Sequence, residues 1–496
     1  MHDNHISTES SGTQGMMGRI FYHIYPLGFC GAPLRNDFTS PAGTGLRSLV
    51  NRIPHLLSLG INALYLGPLF ESVAHGYDTL DYYYVDRRLG NNEDLRNLVR
   101  AYHEKGIIVV LDAVLNHTGR HFFAFKDIQE KGGTSPYRDW FAQVDFTKRS
   151  PEGDPFMYQG WNGCYDLVKL NGHAQAVRDH LFGAVQHWIE EFDIDGLRLD
   201  AADQLLPDFM DELSWRCRSL KPGFWLMGEV VHGDYRRWAT ENRLDSVTNY
   251  ELYKSLWSCF NDRNFFELSW TLGRQFGPGG MYHHLGLYNF ADNHDVNRVA
   301  SILKNKAHLF PLYGLLFTVP GIPSIYYGSE FGLQGERQGN SDRQLRPVMP
   351  DGWPIPGENF PPENKPPVDS AALVKAITTF IGIRKNTPVL QHGSYRQLYC
   401  SHEQFAFMRE ITKSSIRERS AEKRVKKSSR PVLVAVNASE KPTRIPIPQK
   451  TLQSNCRCWK DLLSGEELYS STSEGLSTGG LTIPLYPSWL RILEGS

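Results

Sequence analysis

Eight short apolar runs recur along the first three quarters of the chain, each closed by polar or glycine residues and followed by a helical pattern. They are Ile20–Tyr25, Ile61–Leu66, Ile107–Val114, Ile194–Asp200, Phe224–Glu229, Leu244–Thr248, Gly286–Ala291 and Ile322–Tyr327. Runs such as Ile107-Ile108-Val109-Val110-Leu111 are apolar throughout rather than alternating, as strands buried on both faces are. Strand and helix signals in alternation predict parallel βαβ units. Eight such units predict an α/β fold closed into a (β/α)8 TIM barrel, with a long doubly wound sheet as the alternative.

Two stretches break the pattern. From about Thr118 to Leu170 the chain is rich in Gly, Pro, Asp and aromatics and too long for one helix. It predicts a subdomain (118–172) inserted after the third strand, on the carboxyl-end side where barrel active sites are built. After Pro388, runs such as Gln404–Arg409, Val432–Asn437, Leu481–Leu485 and Trp489–Leu493 are short strands bounded by turn residues, predicting a C-terminal antiparallel β-sandwich over 389–496. The barrel is then expected over 19–117 and 173–388, with an irregular tail over 1–18. Lys413 to Arg430 is basic and Ser-rich, read as a solvated hairpin insertion, with a docking patch for an acidic partner as the sharper alternative.

Composition narrows the setting. Hydrophobic residues make up 41% and charged residues 22%, with a formal net charge of −1. That balance gives no pull toward nucleic acid or an anionic membrane. The tail from Met1 to Gly18 lacks a signal-like apolar segment. The longest apolar stretch, Leu312 to Gly328, is interrupted by Pro320 and Pro323 and is short for a bilayer span. Seven cysteines (Cys30, Cys164, Cys217, Cys259, Cys400, Cys456 and Cys458) are odd in number and lack metal-site spacing, predicting a reduced, cytoplasmic protein with free thiols. With 12% aromatics, large aromatic cores are expected, and a sugar site could draw stacking surfaces from the same pool.

Chemistry is expected at the carboxyl ends of the strands. The third run continues through Asp112 to Asn116-His117, the fourth ends Arg198-Leu199-Asp200, the fifth Gly228-Glu229 and the seventh Asp292-Asn293-His294-Asp295. One Asp at a strand end is ordinarily a cap or turn residue; four acidic ends imply a carboxylate-rich cleft. Glycosidic cleavage needs one carboxylic acid to protonate the leaving oxygen and one carboxylate facing the anomeric carbon. A third can stabilise the oxocarbenium-like transition state. Arg198 and Asp200, two apart, point to the same side of their strand; the plain alternative for them is a structural ion pair.

These segments resemble the conserved regions of the α-amylase family (glycoside hydrolase family 13) from about Phe21 to Pro388. Asp112 to His117, Gly196 to Asp200, Gly228-Glu229-Val230 and Asn293-His294-Asp295 match four regions in order. The resemblance implies Asp200 as nucleophile, Glu229 as acid/base and Asp295 as transition-state stabiliser. Arg198 would then favour ionised Asp200, and the charge on Asp200 would raise the pKa of Glu229. Asp112, Asn116 and Asn171 are expected to be structural at the site. His75-Gly76-Tyr77-Asp78 resembles the segment whose Tyr stacks under the sugar, making Tyr77 the platform with Asp78 beside it. His117 and His294 would donate to sugar hydroxyls, and Asp342 and Arg346 would contact the same sugar. Trp161, Lys169, Ala201 and His232 are further expected cleft residues.

Departures from the family pattern qualify this. Ala201-Ala202-Asp203-Gln204 lacks the Lys-His pair of calcium-dependent α-amylases, so no cofactor is expected and a structural calcium is doubtful. The small Ala201 resembles enzymes acting on α-1,4 bonds. Val168-Lys169-Leu170-Asn171 is similar to a segment of the neopullulanase and cyclomaltodextrinase branch, which often carries an N-terminal dimerisation domain; a first strand near Ile20 leaves no room for one. Monomer and homodimer both stay open. The resemblance implies a retaining hydrolase of maltodextrins, cyclodextrins or related short α-glucans. A glucanotransferase or isomerase is the alternative, and a non-catalytic amylase-like subunit a remote one.

Overall fold

The computed structural model describes residues 13–339, 341–349, 362–411, 430–471 and 479–496. Its centre is eight parallel strands: β1 (Phe21–Ile24), β2 (Ala63–Leu66), β3 (Ile108–Ala113), β4 (Gly196–Leu199), β5 (Trp225–Gly228), β6 (Ser246–Val247), β7 (Tyr288–Phe290) and β8 (Ile322–Tyr326). They pair in the order β7-β8-β1-β2-β3-β4-β5-β6. Thr248, just past β6, bridges Tyr288 of β7 in parallel, and the Asn249 N–H donates to the Tyr288 carbonyl at 2.9 Å. The sheet therefore closes, and the doubly wound alternative falls. Each strand lies inside its predicted run.

The uninterrupted apolar runs follow from this closure. Alternate residues (Phe21, Ala63, Tyr65, Val110, Trp225, Met227, Tyr288 and Ile322) fill the barrel interior. Their neighbours (Tyr22, Leu64, Leu66, Val109, Leu111, Leu197) face the ring of helices, so both faces of each strand are buried. The apolar stretch from Leu312 resolves into the end of a buried helix, Leu309–Thr318, followed by β8. No helix among the described residues is long and apolar enough to cross a membrane. All seven cysteines are free thiols.

Between β3 and β4, His117–Gly119, Cys164–Lys169 and Gly160–Trp161 form a three-stranded antiparallel sheet. The pairing of His117 with Lys169 sets the insertion directly on the carboxyl end of β3. Beyond the barrel, a six-stranded and a two-stranded antiparallel sheet share a core that includes Met408, Leu433, Ala435, Ile445, Ile483 and Leu485. Strands Ser394–Cys400, Thr443–Pro448, Cys458–Asp461 and Glu467–Tyr469 add to those the pattern predicts. The outer face of the larger sheet (Phe405, Phe407, Val432, Val434, Leu490) joins the main core. There a methyl at Gly314 would lie 2.4 Å from a Leu490 methyl, so only glycine lets the two layers approach. Arg409 adds charged contacts, reaching the carbonyls of Thr318 (2.6 Å) and Gly393 (2.8 Å). The basic segment 413–429 lies outside the described residues; Arg430, at its edge, pairs with Glu494 at 3.3 Å.

Candidate active site

The carboxyl ends of β3, β4 and β5 converge on one guanidinium. Arg198 of β4 points into the barrel and is 3% exposed. Its Nη1 donates to Asp112 (2.8 and 3.1 Å) and to Asp200 Oδ1 (3.0 Å), and its Nη2 lies 2.8 Å from Glu229 Oε1. Asp112 also accepts the hydroxyls of Tyr65 (2.7 Å) and Tyr77 (3.0 Å). Burial raises both phenols, so each stays protonated and donating. Asp112 is thus enclosed, while the side chains of Asp200, Glu229 and Asp295 rise outward with 10%, 14% and 31% exposure.

The electrostatics differ from the expectation that Arg198 keeps Asp200 ionised. Burial pushes the Asp200 carboxyl well above the usual carboxylate range; Arg198 opposes this, and Glu229, Asp112 and Asp295 add to the rise. The guanidinium is shared among three carboxylates, so its pull on any one is diluted. The cluster consequently holds a proton where a free carboxyl would have lost it. Asp295 behaves oppositely. Burial raises it, but His294 (Nε2 to Oδ2, 2.9 Å) and Arg346 (Nη2 to Oδ1, 3.0 Å) outweigh burial and hold it well below the usual range. The site therefore separates its carboxyls into one kept ionised and a buried group that retains a proton.

Local backbone geometry aims these groups. Ala201 follows Asp200 in a left-handed conformation (φ 44°), uncommon for a residue with a Cβ. The turn points its N–H at Glu229 Oε2, 3.1 Å away. The Asn116 amide lies 3.2 Å from His117 Nδ1 and orients the imidazole. His117 Nε2 is buried with no hydrogen-bond partner among the described residues, 3.9 Å from Asp200 Oδ2. Burial pushes the His117 pKa down to about 3, so the ring is neutral. Trp161 lies beside it, ring centres 5.6 Å apart.

Tyr77, His294 and Tyr25 form a stack, with centroids 5.5 and 5.9 Å apart and near-parallel planes. Tyr77 is 9% exposed and belongs to the cleft floor. His294 Nε2 faces Asp295 and the Tyr77 hydroxyl, so it serves the protein; the expected donation to a sugar would fall to Nδ1, buried and without a partner among the described residues. Arg346 bonds Asp342 (3.0 Å) and lies over the Tyr25 ring (4.5 Å), which tie the loop after β8 to the end of β1. Gly28 makes this possible, because a methyl there would sit 2.4 Å from the Arg346 carbonyl oxygen.

Two expected binding residues are placed differently. Both Asp78 oxygens accept backbone N–H groups, from Ala74 (2.7 Å), His75 and Gly76 (3.1 Å each). Its carboxylate shapes the turn that presents Tyr77 and does not face the cleft as a free acceptor. His232 is exposed after β5, without a hydrogen bond among the described residues. Lys169 is half-buried on the insertion strand. Asn171 is structural, donating to the Asp139 carbonyl at 2.9 Å.

Sequence reasoning passed over Tyr25, Tyr65, Tyr250 and Arg337. Tyr25 stands at a strand end, where a tyrosine carries no charge to mark it. Arg337, which donates to Asp342 and to the Asp295 carbonyl, carries no pattern to find it by.

Acids at the carboxyl ends of β3, β4 and β5 share Arg198, and the acid after β7 is held by His294 and Arg346 beside them. A profile described as the alpha amylase catalytic domain matches residues 23–352. The chain belongs to the α-amylase family. It is 30% identical over 497 residues to a cyclomaltodextrinase of Geobacillus thermopakistaniensis, covering 96% of this chain and 77% of that one. It is 29% identical to neopullulanase 2 of Thermoactinomyces vulgaris, covering 92% and 75%. Among solved structures, a cyclomaltodextrinase superposes with a TM-score of 0.79 at 26% identity, covering 98% of this chain and 79% of that one. The protein is a family-13 glycoside hydrolase resembling cyclomaltodextrinase and neopullulanase.

Proposed function

We propose that the enzyme hydrolyses α-1,4 bonds of maltodextrins, cyclodextrins or related short α-glucans with retention of configuration, acting in the cytoplasm. The observation that carries this reading is the division of labour among carboxyls: Asp200 buried against Arg198, Glu229 beside it, and Asp295 held ionised. Ionised Asp200 attacks the anomeric carbon as the bond to the leaving oxygen breaks, and Glu229 gives that oxygen its proton. Glu229 then takes a proton from water, whose oxygen displaces Asp200. The mechanism requires Glu229 to carry a proton, and Asp200 to have lost its own, when the bond breaks. Asp295 stabilises the positive charge developing on the sugar ring, and His117 Nε2 is a hydrogen-bonding group for one of its hydroxyls.

A cleft of about 960 Å³ runs from Tyr25, His75, Asp342 and Arg346 toward Leu34 and Val348, at the upper end of ligand-site volumes (roughly 300–1,000 Å³). It opens between β8 and β1, across the barrel from β5, which carries Glu229. Because the acid marks the side on which the leaving group departs, this cleft would hold the part of the glucan that becomes bonded to Asp200. Its size supports substrates with more than one sugar on that side.

Incubation with maltotriose, maltose, cyclodextrins, panose, pullulan and sucrose, with product analysis, tests the reading. Glucose and maltose alone from maltotriose are expected; longer oligomers would instead make the enzyme a transferase, and cleavage of sucrose alone would overturn the substrate class. We further propose that calcium is not required. In the insertion, the buried Asp154 is engaged by Arg120, Gln129 and Ser150 (2.7–3.0 Å), and Asn116 orients His117. Treatment with EDTA should leave initial rate and melting temperature unchanged; a fall in either would reveal a metal site.

A further inference from the structure

Tyr250 opens the helix Tyr250–Asn261 that follows β6. The start of that helix is fixed by Asn249, whose side chain accepts the Leu252 N–H and donates to Asn289 of β7 at 2.9 Å. The Tyr250 ring stands edge-on to Phe290 of β7, 5.0 Å away. Its hydroxyl is thereby held over the site. It accepts the Asn293 amide at 3.1 Å and lies 3.4 Å from Glu229 Oε1. Asn293 in turn accepts the Asp295 N–H at 2.8 Å.

The direction of this chain is dictated by chemistry. An amide nitrogen only donates, so the phenol oxygen accepts from Asn293, and its single O–H is free to be given to Glu229. Burial raises the phenol's pKa, which keeps that proton in place. The 3.4 Å separation is long, as contacts of catalytic groups often are before substrate binds.

We propose that Tyr250 is a positioning residue for Glu229: it fixes the rotamer from which the acid protonates the leaving oxygen and links that rotamer, through Asn293, to the loop carrying Asp295. Ala201 N–H and Arg198 hold the carboxyl from the β4 side, and Tyr250 from the β6–β7 side. Without the phenol hydroxyl the carboxyl keeps only its β4-side contacts with Arg198 and Ala201 and loses its restraint on the side of Tyr250.

This inference rests on Glu229 being the acid, and the test separates the two claims. Maltotriose and 2,4-dinitrophenyl α-maltoside carry the same maltosyl group on leaving groups that do and do not need a proton. For Tyr250→Phe, kcat/KM on maltotriose is expected to fall about tenfold, within the range general acid catalysis contributes, while kcat/KM on the dinitrophenyl glycoside changes less than twofold. Equal losses on both substrates, or none on either, would overturn the role of Tyr250. Glu229→Gln provides the control: it should lose far more on maltotriose than on the dinitrophenyl glycoside. If it does not, the acid assignment itself fails, whatever Tyr250→Phe does. In the double variant, Tyr250→Phe should add no further loss on maltotriose to that of Glu229→Gln. A full multiplicative loss would show that Tyr250 acts on something other than the acid.

Discussion

Asp200→Asn should lose on the order of 10⁴-fold or more in kcat, the scale seen when a nucleophile is removed from a covalent mechanism, while the protein stays folded. The amide keeps the shape of the carboxyl and can still accept from Arg198 Nη1, so nothing in the packing is disturbed. The stability effect has a predictable sign. A carboxyl whose folded pKa is raised costs stability as pH climbs from its unfolded value through the folded one, because ionisation is easier in the unfolded chain. Asp200 is such a group. The variant should therefore melt at or above the wild-type temperature at neutral pH, and the two should converge in acid. Calorimetry across that range together with initial rates on maltotriose checks both halves; appreciable turnover would remove Asp200 from the nucleophile's role.

Arg198→Met should be harmful in the opposite way. It leaves Asp112, Asp200 and Glu229 facing one another without their shared cation. Removing one partner from a buried ionic group costs about 3–5 kcal/mol, and activity should disappear with it. The loss should shrink as pH falls and the stranded carboxyls take up protons. Arg198→Lys should recover part of the stability but little activity, since an ammonium is a point charge that cannot reproduce the planar fork of a guanidinium. A melting temperature unchanged in Arg198→Met would mean that the carboxyls are neutralised without the arginine.

Much of this site was legible in the chain because barrel chemistry gathers at strand ends, and strand ends can be found from hydrophobic pattern alone. Each predicted strand run contains an observed strand, and Asp112, Asp200, Glu229 and Asp295 stand where that rule puts them. What pattern could not supply was direction. Asp78 is next to Tyr77 in sequence, yet its carboxylate turns back to cap its own loop, a choice made by three backbone N–H groups. Sharing was also invisible: spacing brings Arg198 to Asp200, but only the folded barrel brings it equally to Asp112 and Glu229 and so weakens its hold on the nucleophile. Tyr250 escaped because β6 is two residues long and ends without an acid. In the C-terminal region, Thr443–Pro448 alternates proline with isoleucine; it forms a strand because it pairs with one neighbour only, which leaves room for residues lacking an N–H.

The seam between helix Leu309–Thr318 and the larger C-terminal sheet bears on how the enzyme fails. That helix leads into β8, and the loop beyond β8 holds Asp342 and Arg346 against Asp295. Stripping the sheet away would uncover Leu309–Thr318, remove the Arg409 contact with Thr318 and loosen the last strand of the barrel. The C-terminal sheet therefore braces the helix that leads into the last strand of the barrel. Heating or proteolysis that dislodges it would extinguish catalysis in the same event, so that inactivation and loss of structure share one cooperative step.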